Sequence, residues 1–114
     1  MKDDTALLCH IRDEITFLQD ICKKQTVDAI SRDPVMSRAV LRSLEVIGEA
    51  AKQISPDLKE KYLHIEWKKI GGMRDRLIHH YFGVDWETVG DVLMHKIPLL
   101  KQDLDTLFLE CRLQ

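Results

Sequence analysis

The stretch from Gly72 to Asp85 reads Gly-Met-Arg-Asp-Arg-Leu-Ile-His-His-Tyr-Phe-Gly-Val-Asp, and it governs the fold that we predict for the chain. Apolar residues before and within it recur at steps of three and four, the pattern of a helix buried along one face. These residues are Trp67, Ile70, Leu77, Ile78 and Tyr81. The pattern predicts a central helix over residues 66–82 that ends just before Gly83, since glycine commonly follows the last helical residue.

Arg74 falls on the predicted buried face of this helix, and His79 and Tyr81 follow it near the helix end. A guanidinium on a buried face is costly unless it is paired, opens into a cleft or lies where two chains meet. Spacing alone favours structural roles, with Arg74 as a paired core arginine, His79 as a helix-end histidine and Tyr81 as a core aromatic. The alternative is that the three side chains form a functional site.

One straight helix cannot direct these three side chains to a single phosphate group. At 100° per residue, Arg74 and Tyr81 lie about 20° apart on the helical wheel, whereas His79 lies about 140° from Arg74. Either the last turn unwinds toward Gly83, or a second copy of the chain completes the site across a twofold axis. The second alternative predicts a homodimer and also explains the position of Arg74 on the apolar face.

Arg74, His79 and Tyr81, followed by Phe-Gly-Val-Asp at residues 82–85, resemble the motif of the HEPN superfamily. The upstream segment 42–52 is similar to the second helix of the HepT-like branch, so that the likeness spans about residues 38–87. Asp75 differs from the Asn that often follows the motif arginine in this branch. The resemblance implies an all-α, HEPN-like bundle.

The same resemblance implies a function, that of a metal-independent endoribonuclease toxin paired with a minimal nucleotidyltransferase antitoxin. The implied roles are catalytic for Arg74 and His79, and substrate-binding or supporting for Asp75, Arg76 and His80. Tyr81 would be the residue to which the antitoxin transfers AMP, which would silence the toxin. No cofactor or metal is expected. The alternative function is a non-catalytic helical subunit that binds a nucleotidyltransferase or a small nucleotide.

The composition limits how such a protein could bind RNA. With 114 residues, 45% hydrophobic content and a formal net charge of −2, the chain is expected to form a single domain over residues 1–114 without a global positive field. Contact with RNA must then be local, and residues 66–82 contain four basic and two acidic side chains. Three cysteines without metal-ligand spacing, an acidic start and no long apolar run predict a cytoplasmic protein.

The remaining segments predict an up-and-down bundle of four main helices plus one short helix. Amphipathic spacing predicts a helix over residues 4–24, a connection over 25–31 and a second long helix from Asp33-Pro34 to about residue 54. Ser55-Pro56 starts the short helix, which runs to about Lys61. The last helix follows Asp85 and is kinked or divided at Pro98.

Two groups of polar residues leave alternatives open. His10, Asp13 and Glu14 share one face of the first helix, where a solvated polar face is favoured over a metal site. Glu45 and Glu49 lie four residues apart beside the apolar face of the second long helix. Both could pair with neighbouring basic residues of that helix, or one could turn inward to orient Arg74.

Overall fold

The computed structural model describes residues 3–79 and 83–111, which fold as helices joined by short connections and one two-stranded hairpin. The α-helices are α1 (Asp4–Lys24), α2 (Val27–Arg32), α3 (Pro34–Gln53), α4 (Pro56–Lys61), α5 (Trp67–Gly71), α6 (Met73–Leu77), α7 (Trp86–Asp91) and α8 (Ile97–Cys111). A π-helical segment, Val92–Lys96, joins α7 to α8. The hairpin pairs β1 (Ile78–His79) with β2 (Gly83–Val84) in antiparallel register. The predicted all-α fold class is confirmed.

The two longest helices, α1 and α3, pack side by side in opposite directions. Asp4, in the first turn of α1, accepts hydrogen bonds from the backbone N–H of Ser55 (2.9 Å) and from its hydroxyl (2.6 Å), just beyond the end of α3. Near the middle of both helices, the buried Ser43 hydroxyl donates to the carbonyl oxygen of Glu14 at 3.4 Å. Contacts at both levels fix the relative register of the two helices.

Helix α8 completes the core by packing antiparallel to α1. The guanidinium of Arg12 lies 4.4 Å from the ring centroid of Phe108, near the C-terminal end of α8. Leu18 and Cys22, toward the other end of α1, share a surface cleft with Ile97 at the start of α8. The largest side chains of the core are fully buried, and they include Leu8, Ile11, Ile15, Leu18, Ile30, Leu44, Ile47, Leu77, Leu104 and Leu107.

The single central helix predicted over residues 66–82 is wrong, because the chain breaks it at Gly72 and leaves helical geometry after Leu77. From Leu77 onward the backbone forms hydrogen bonds with β2 and the residue that follows it. Ile78 pairs with Val84, and the N–H of Asp85 donates to the Leu77 carbonyl oxygen at 2.8 Å. Gly83 has φ +78°, which glycine adopts readily. Gly83 therefore belongs to a hairpin and does not terminate the helix.

One other segment differs from the predicted elements, and one predicted distortion is present. The predicted connection over residues 25–31 contains most of α2, whose first turn is capped by the Thr26 hydroxyl and whose Ile30 is fully buried. Six residues are too few to show a helical period in the sequence. The predicted distortion at Pro98 is present as the π-helical segment just before it, since proline removes one backbone donor and crowds the preceding turn.

None of the helices in the described part of the chain combines the length and apolar character that a membrane span requires.

Candidate active site

Arg74 lies on α6 and is held by a carboxylate from α3. Its Nε donates a hydrogen bond to Oε2 of Glu45 at 2.9 Å. The side chain of Arg74 is 58% exposed and that of Glu45 is 30% exposed, so the pair lies at the surface. A bond through Nε uses one of the five N–H groups of a guanidinium, which leaves others available to a ligand such as a phosphate.

The structure decides between the two roles open to Glu45 and Glu49. Glu45 turns toward Arg74, as the second alternative predicted, whereas Glu49 lies 3.6 Å from Lys52 on its own helix. The Glu49–Lys52 pair is well exposed, the situation in which ion pairs contribute little to stability. Of these two carboxylates, Glu45 is therefore the one that links α3 to the candidate site.

The predicted placement of Arg74 on a buried helix face is wrong. Within α6 the buried residues are Met73 and Leu77, four positions apart, and Arg74 is exposed. The helix is interrupted at Gly72, so residues on either side of the break do not share one helical wheel. The apolar spacing across residues 67–81 therefore does not mark one continuous helix face. Arg74 is consequently open to solvent without any second chain.

A close approach of two backbones positions α6 above Glu45. A Cβ atom on Gly48 would lie 3.1 Å from the carbonyl oxygen of Ile70, and one on Gly71 would lie 2.9 Å from Cγ of Lys52. The glycines therefore allow α5 to pack directly on α3, and α6 follows after a single residue. Gly48 is one helical turn beyond Glu45, which places the carboxylate beside the incoming Arg74.

The backbone of His79 is described but its side chain is not. His79 pairs with Gly83 in the hairpin, so the segment after Arg74 is extended and the wheel angles of a straight helix do not apply to it. His80 and Tyr81 lie outside the described residues. The predicted grouping of Arg74, His79 and Tyr81 side chains thus remains a prediction.

Asp75 and Arg76, the two residues that follow Arg74, are both exposed. Asp75 closes the turn at the start of α6, where its N–H donates to the Gly72 carbonyl oxygen at 3.2 Å. Arg76 lines a cavity between α5, α6 and the start of α8, together with Met73. At 100° per residue, Arg74 and Arg76 are separated by about 160° around α6. They therefore serve two different faces of the same short helix.

No group of three His, Cys, Asp or Glu side chains within the described ranges is arranged to hold a metal ion. His10 and Asp13 are exposed on α1, and Glu14 is partly buried.

Comparison with known proteins identifies the family. The family model described as ribonuclease HepT-like matches residues 11–107, which include the whole Arg74 region. This chain belongs to the HepT-like ribonuclease family. The resemblance to the HEPN superfamily inferred from the Arg74 motif is thereby confirmed, and so is the predicted class of enzyme, a ribonuclease.

Curated relatives of this HepT-like chain carry ribonuclease names. A protein of Caldanaerobacter subterraneus subsp. tengcongensis, named "Putative RNase", is 40% identical over 104 residues, covering 91% of this chain and 93% of the relative. A Methanocaldococcus jannaschii protein of the same name is 41% identical, covering 87% and 82%. The "Probable ribonuclease HepT" of Thermococcus cleftensis is 39% identical, covering 82% and 76%. No solved structure matches the chain.

Proposed function

We propose that this HepT-like protein is a cytoplasmic endoribonuclease that cuts RNA without a metal ion. The observation that carries the proposal is the exposed Arg74 guanidinium, oriented by Glu45 at 2.9 Å and followed five residues later by His79. The family model covers this region, and the relatives are named as ribonucleases. Cleavage of a phosphodiester requires proton transfer, which an imidazole can carry out, and stabilisation of negative charge, which a fixed cation can provide.

The chemistry proceeds by attack of the RNA 2′-hydroxyl on the adjacent phosphorus. His79 takes the 2′ proton as the base, since an imidazole titrates near neutrality. Arg74 stabilises the charge that builds up on the phosphorane, because it is permanently cationic and can make two hydrogen bonds to phosphate oxygens. The P–O5′ bond then breaks, and the 5′ oxygen leaves with a proton from an acid, giving a cyclic 2′,3′-phosphate and a 5′-hydroxyl.

Two copies of the chain build the cleavage site in this proposal. The outward position of Arg74 supports a groove shared with a second subunit, since the guanidinium is accessible and its carboxylate partner comes from its own chain. Such a homodimer supplies a second imidazole that can act as the acid. Asp75, Arg76 and His80 would bind or support the RNA around this groove.

The proposed biological role is that of the toxin in a toxin–antitoxin pair. A cognate minimal nucleotidyltransferase would transfer AMP from ATP to the hydroxyl of Tyr81, seven residues beyond Arg74, with release of pyrophosphate and of the hydroxyl proton. The added nucleotide would place bulk and negative charge beside the guanidinium and so exclude the RNA phosphate.

The experiment that tests the nuclease compares three purified proteins on single-stranded RNA in the presence of EDTA: the wild type, Arg74→Ala and His79→Ala. We expect cleavage by the wild type and a loss of at least a hundredfold in both variants, with products that end in a cyclic phosphate. Lys101→Ala, which removes an exposed cation of α8 paired with Asp105, is the matched control and should cleave normally. If no protein cleaves, or if cleavage survives in Arg74→Ala, the chain is instead a non-catalytic binding subunit or a nuclease that acts through other residues.

A further inference from the structure

One face of α3 carries a line of charged side chains that leads away from the contact between Arg74 and Glu45. At 100° per residue, the members of this line lie within about 80° of one another around the helix. In chain order they are Arg38, Arg42, Glu45, Glu49 and Lys52. Glu45 is partly buried and the others are exposed, so the line is open to solvent along its length.

The packing of α5 and α6 on α3 gives this line a direction. Lys52 lies against α5, and Glu45 binds Arg74 of α6. The chain therefore advances toward the N-terminal end of α3 as it passes from α5 to α6. Arg42 and Arg38 follow in that direction, about 4.5 and 10.5 Å beyond Glu45 at 1.5 Å per residue.

The two ends of the line differ in charge. At the C-terminal end, Glu49 and Lys52 lie 3.6 Å apart and offset each other. At the N-terminal end, neither Arg38 nor Arg42 forms an ion pair with any of the described residues. Nη1 of Arg38 donates to the carbonyl oxygen of Pro34 at 3.0 Å, which holds this side chain and leaves its other N–H groups available. Two exposed guanidinium groups without a compensating carboxylate favour a polyanion.

We propose that Arg42 and Arg38 bind the phosphates of a single RNA strand on one side of the phosphate that Arg74 holds. The inference rests on the proposed function, in which Arg74 marks the phosphate that is cleaved. Intervals of about 4.5 and 6 Å along α3 are within the reach of an arginine side chain, so these groups can contact successive phosphates. An arginine makes two hydrogen bonds to a phosphate, and a series of cations along the backbone holds a single strand without reading its bases.

Continuity with Arg74 favours RNA over an acidic protein as the ligand of this surface. A strand that already occupies Arg74 is led onto Arg42 and Arg38 by its own covalent backbone, whereas a separate protein would have to find them independently. Arg42 and Arg38 hold neighbouring nucleotides and do not touch the reacting atoms. They are therefore positioning residues, and their effect should appear in binding and in KM.

Binding is measured by the fluorescence anisotropy of a labelled 2′-O-methyl oligoribonucleotide, in EDTA and at several salt concentrations. This ligand has no free 2′-hydroxyl to attack, so the otherwise wild-type protein can be used. The double variant Arg38→Gln/Arg42→Gln should bind about tenfold more weakly. Its slope of log Kd against log salt should fall by about 1.4, since each phosphate contact on a single strand contributes about 0.7. The double variant Lys23→Gln/Lys101→Gln is the matched control, because it changes the net charge equally at exposed cations paired with carboxylates of their own helices.

Cleavage of substrates of different length gives a second measurement. A dinucleotide has one phosphate, which Arg74 occupies, whereas a longer strand also reaches Arg42 and Arg38. The arginine double variant should therefore raise KM about tenfold for the long substrate, with kcat unchanged, and should leave both constants unchanged for the dinucleotide. A lower kcat on both substrates would show that the substitutions disturb the cleavage site itself, and the positioning role would then be wrong.

The two measurements separate failure of this inference from failure of the proposed nuclease. If the wild type cleaves no RNA but the salt slope falls in the arginine variant alone, the RNA-binding surface stands and the nuclease is refuted. If the wild type cleaves through Arg74 and the arginine variant keeps the wild-type slope, the nuclease stands and the RNA-binding surface is overturned. Equal losses of affinity in the arginine and lysine variants also overturn it, because they indicate attraction by net charge alone.

Discussion

Gly48 on α3 lies against the carbonyl oxygen of Ile70 on α5, so close that a Cβ atom at this position would crowd the oxygen. A Cβ atom at Gly48 would be 3.1 Å from this oxygen, tighter than an ordinary contact. The approach brings α5, and with it the start of α6, down onto α3 within one turn of Glu45. The contact between Gly48 and Ile70 thus sets the position along α3 at which Arg74 meets the carboxylate of Glu45.

Gly48→Ala should lower the free energy of unfolding by about 1 kcal/mol. The overpacking costs about 1–3 kcal/mol because the neighbour is backbone and cannot rotate away, and the better helix propensity of Ala offsets about 1 kcal/mol of it. Gly72→Ala is the control, since its Cβ would be 3.5 Å from the Lys68 carbonyl oxygen, an ordinary contact. Urea denaturation of both variants measures the difference. A Gly48→Ala protein as stable as the wild type would contradict the close approach.

Glu45→Gln should lower kcat for RNA cleavage about tenfold, with a smaller change in KM. The substitution keeps the shape of the side chain but removes the charge that orients Arg74, and a loss of about 1.4 kcal/mol in the transition state corresponds to a factor of ten. Because the pair is exposed, the melting temperature should barely change. Glu49→Gln is the matched control on the same helix. Equal kcat values for the two variants would show that Glu45 does not position the guanidinium.

Asp4→Ala should destabilise the fold by about 1–3 kcal/mol, the cost of leaving partly buried donors without an acceptor. Asp4 accepts two hydrogen bonds from Ser55 across 51 residues of sequence, at 2.9 and 2.6 Å, and so ties the start of α1 to the start of α4. Asp20→Ala, at an exposed position of the same helix, should change stability by less than about 0.5 kcal/mol. Similar denaturation midpoints for the two variants would refute a structural role for the Asp4–Ser55 contact.

Tyr62 should titrate well above the ordinary tyrosine pKa of about 10. The hydrogen bond of its hydroxyl with Cys111 and its burial raise the pKa of Tyr62, and the neighbouring Glu110 acts in the same direction. A raised pKa in the folded state means that its contribution to stability is complete below about pH 10 and is lost as the pH rises further.

The absorbance of tyrosinate in the folded protein measures this shift, because the chain has only two tyrosines. Tyr62→Phe should remove the late titration and leave that of Tyr81. If both tyrosines of the wild type ionise near pH 10 while the protein is still folded, the environment assigned to Tyr62 is wrong.

Tyr81→Phe should retain ribonuclease activity and become insensitive to the cognate nucleotidyltransferase. The substitution removes only the hydroxyl that would accept AMP, while Arg74 and His79 are intact. Mass spectrometry after incubation with the transferase and ATP should show the added AMP on the wild type alone. Addition of AMP to Tyr81→Phe would assign the acceptor to another residue.

Local signals in the sequence predicted several helix boundaries correctly. The Asp33-Pro34 and Ser55-Pro56 pairs mark the starts of α3 and α4, and in both cases the first residue caps the helix through its side chain. Capping depends on atoms within three or four residues of one another, so it can be read from a short stretch. The π-helical segment before Pro98 follows from the same kind of local effect.

The central segment could not be predicted as well, because its conformation depends on contacts between distant residues. Apolar spacing across residues 67–81 suits a continuous helix, yet the contact of Gly71 with α3 and the pairing of Ile78 with Val84 favour a break and a hairpin. The sequence did not predict the cavity lined by Lys69, Arg76 and Lys96 for the same reason. The excess of basic residues over 66–82 was a sign of local positive charge, but it did not indicate a cavity.

The sequence by itself determined the all-α class, the family and the positions of the chemically capable residues, because motif spacing and helix caps are local properties. Only the tertiary structure decided that Arg74 is exposed, that Glu45 and not Glu49 is its partner, and that α6 ends at Leu77. These outcomes depend on where α3 passes beneath α5 and on which backbone groups find hydrogen-bond partners. Arg74 and Glu45, for example, are about 30 residues apart along the chain. A helical period relates residues within a few turns of one helix, so it cannot predict a contact of this kind.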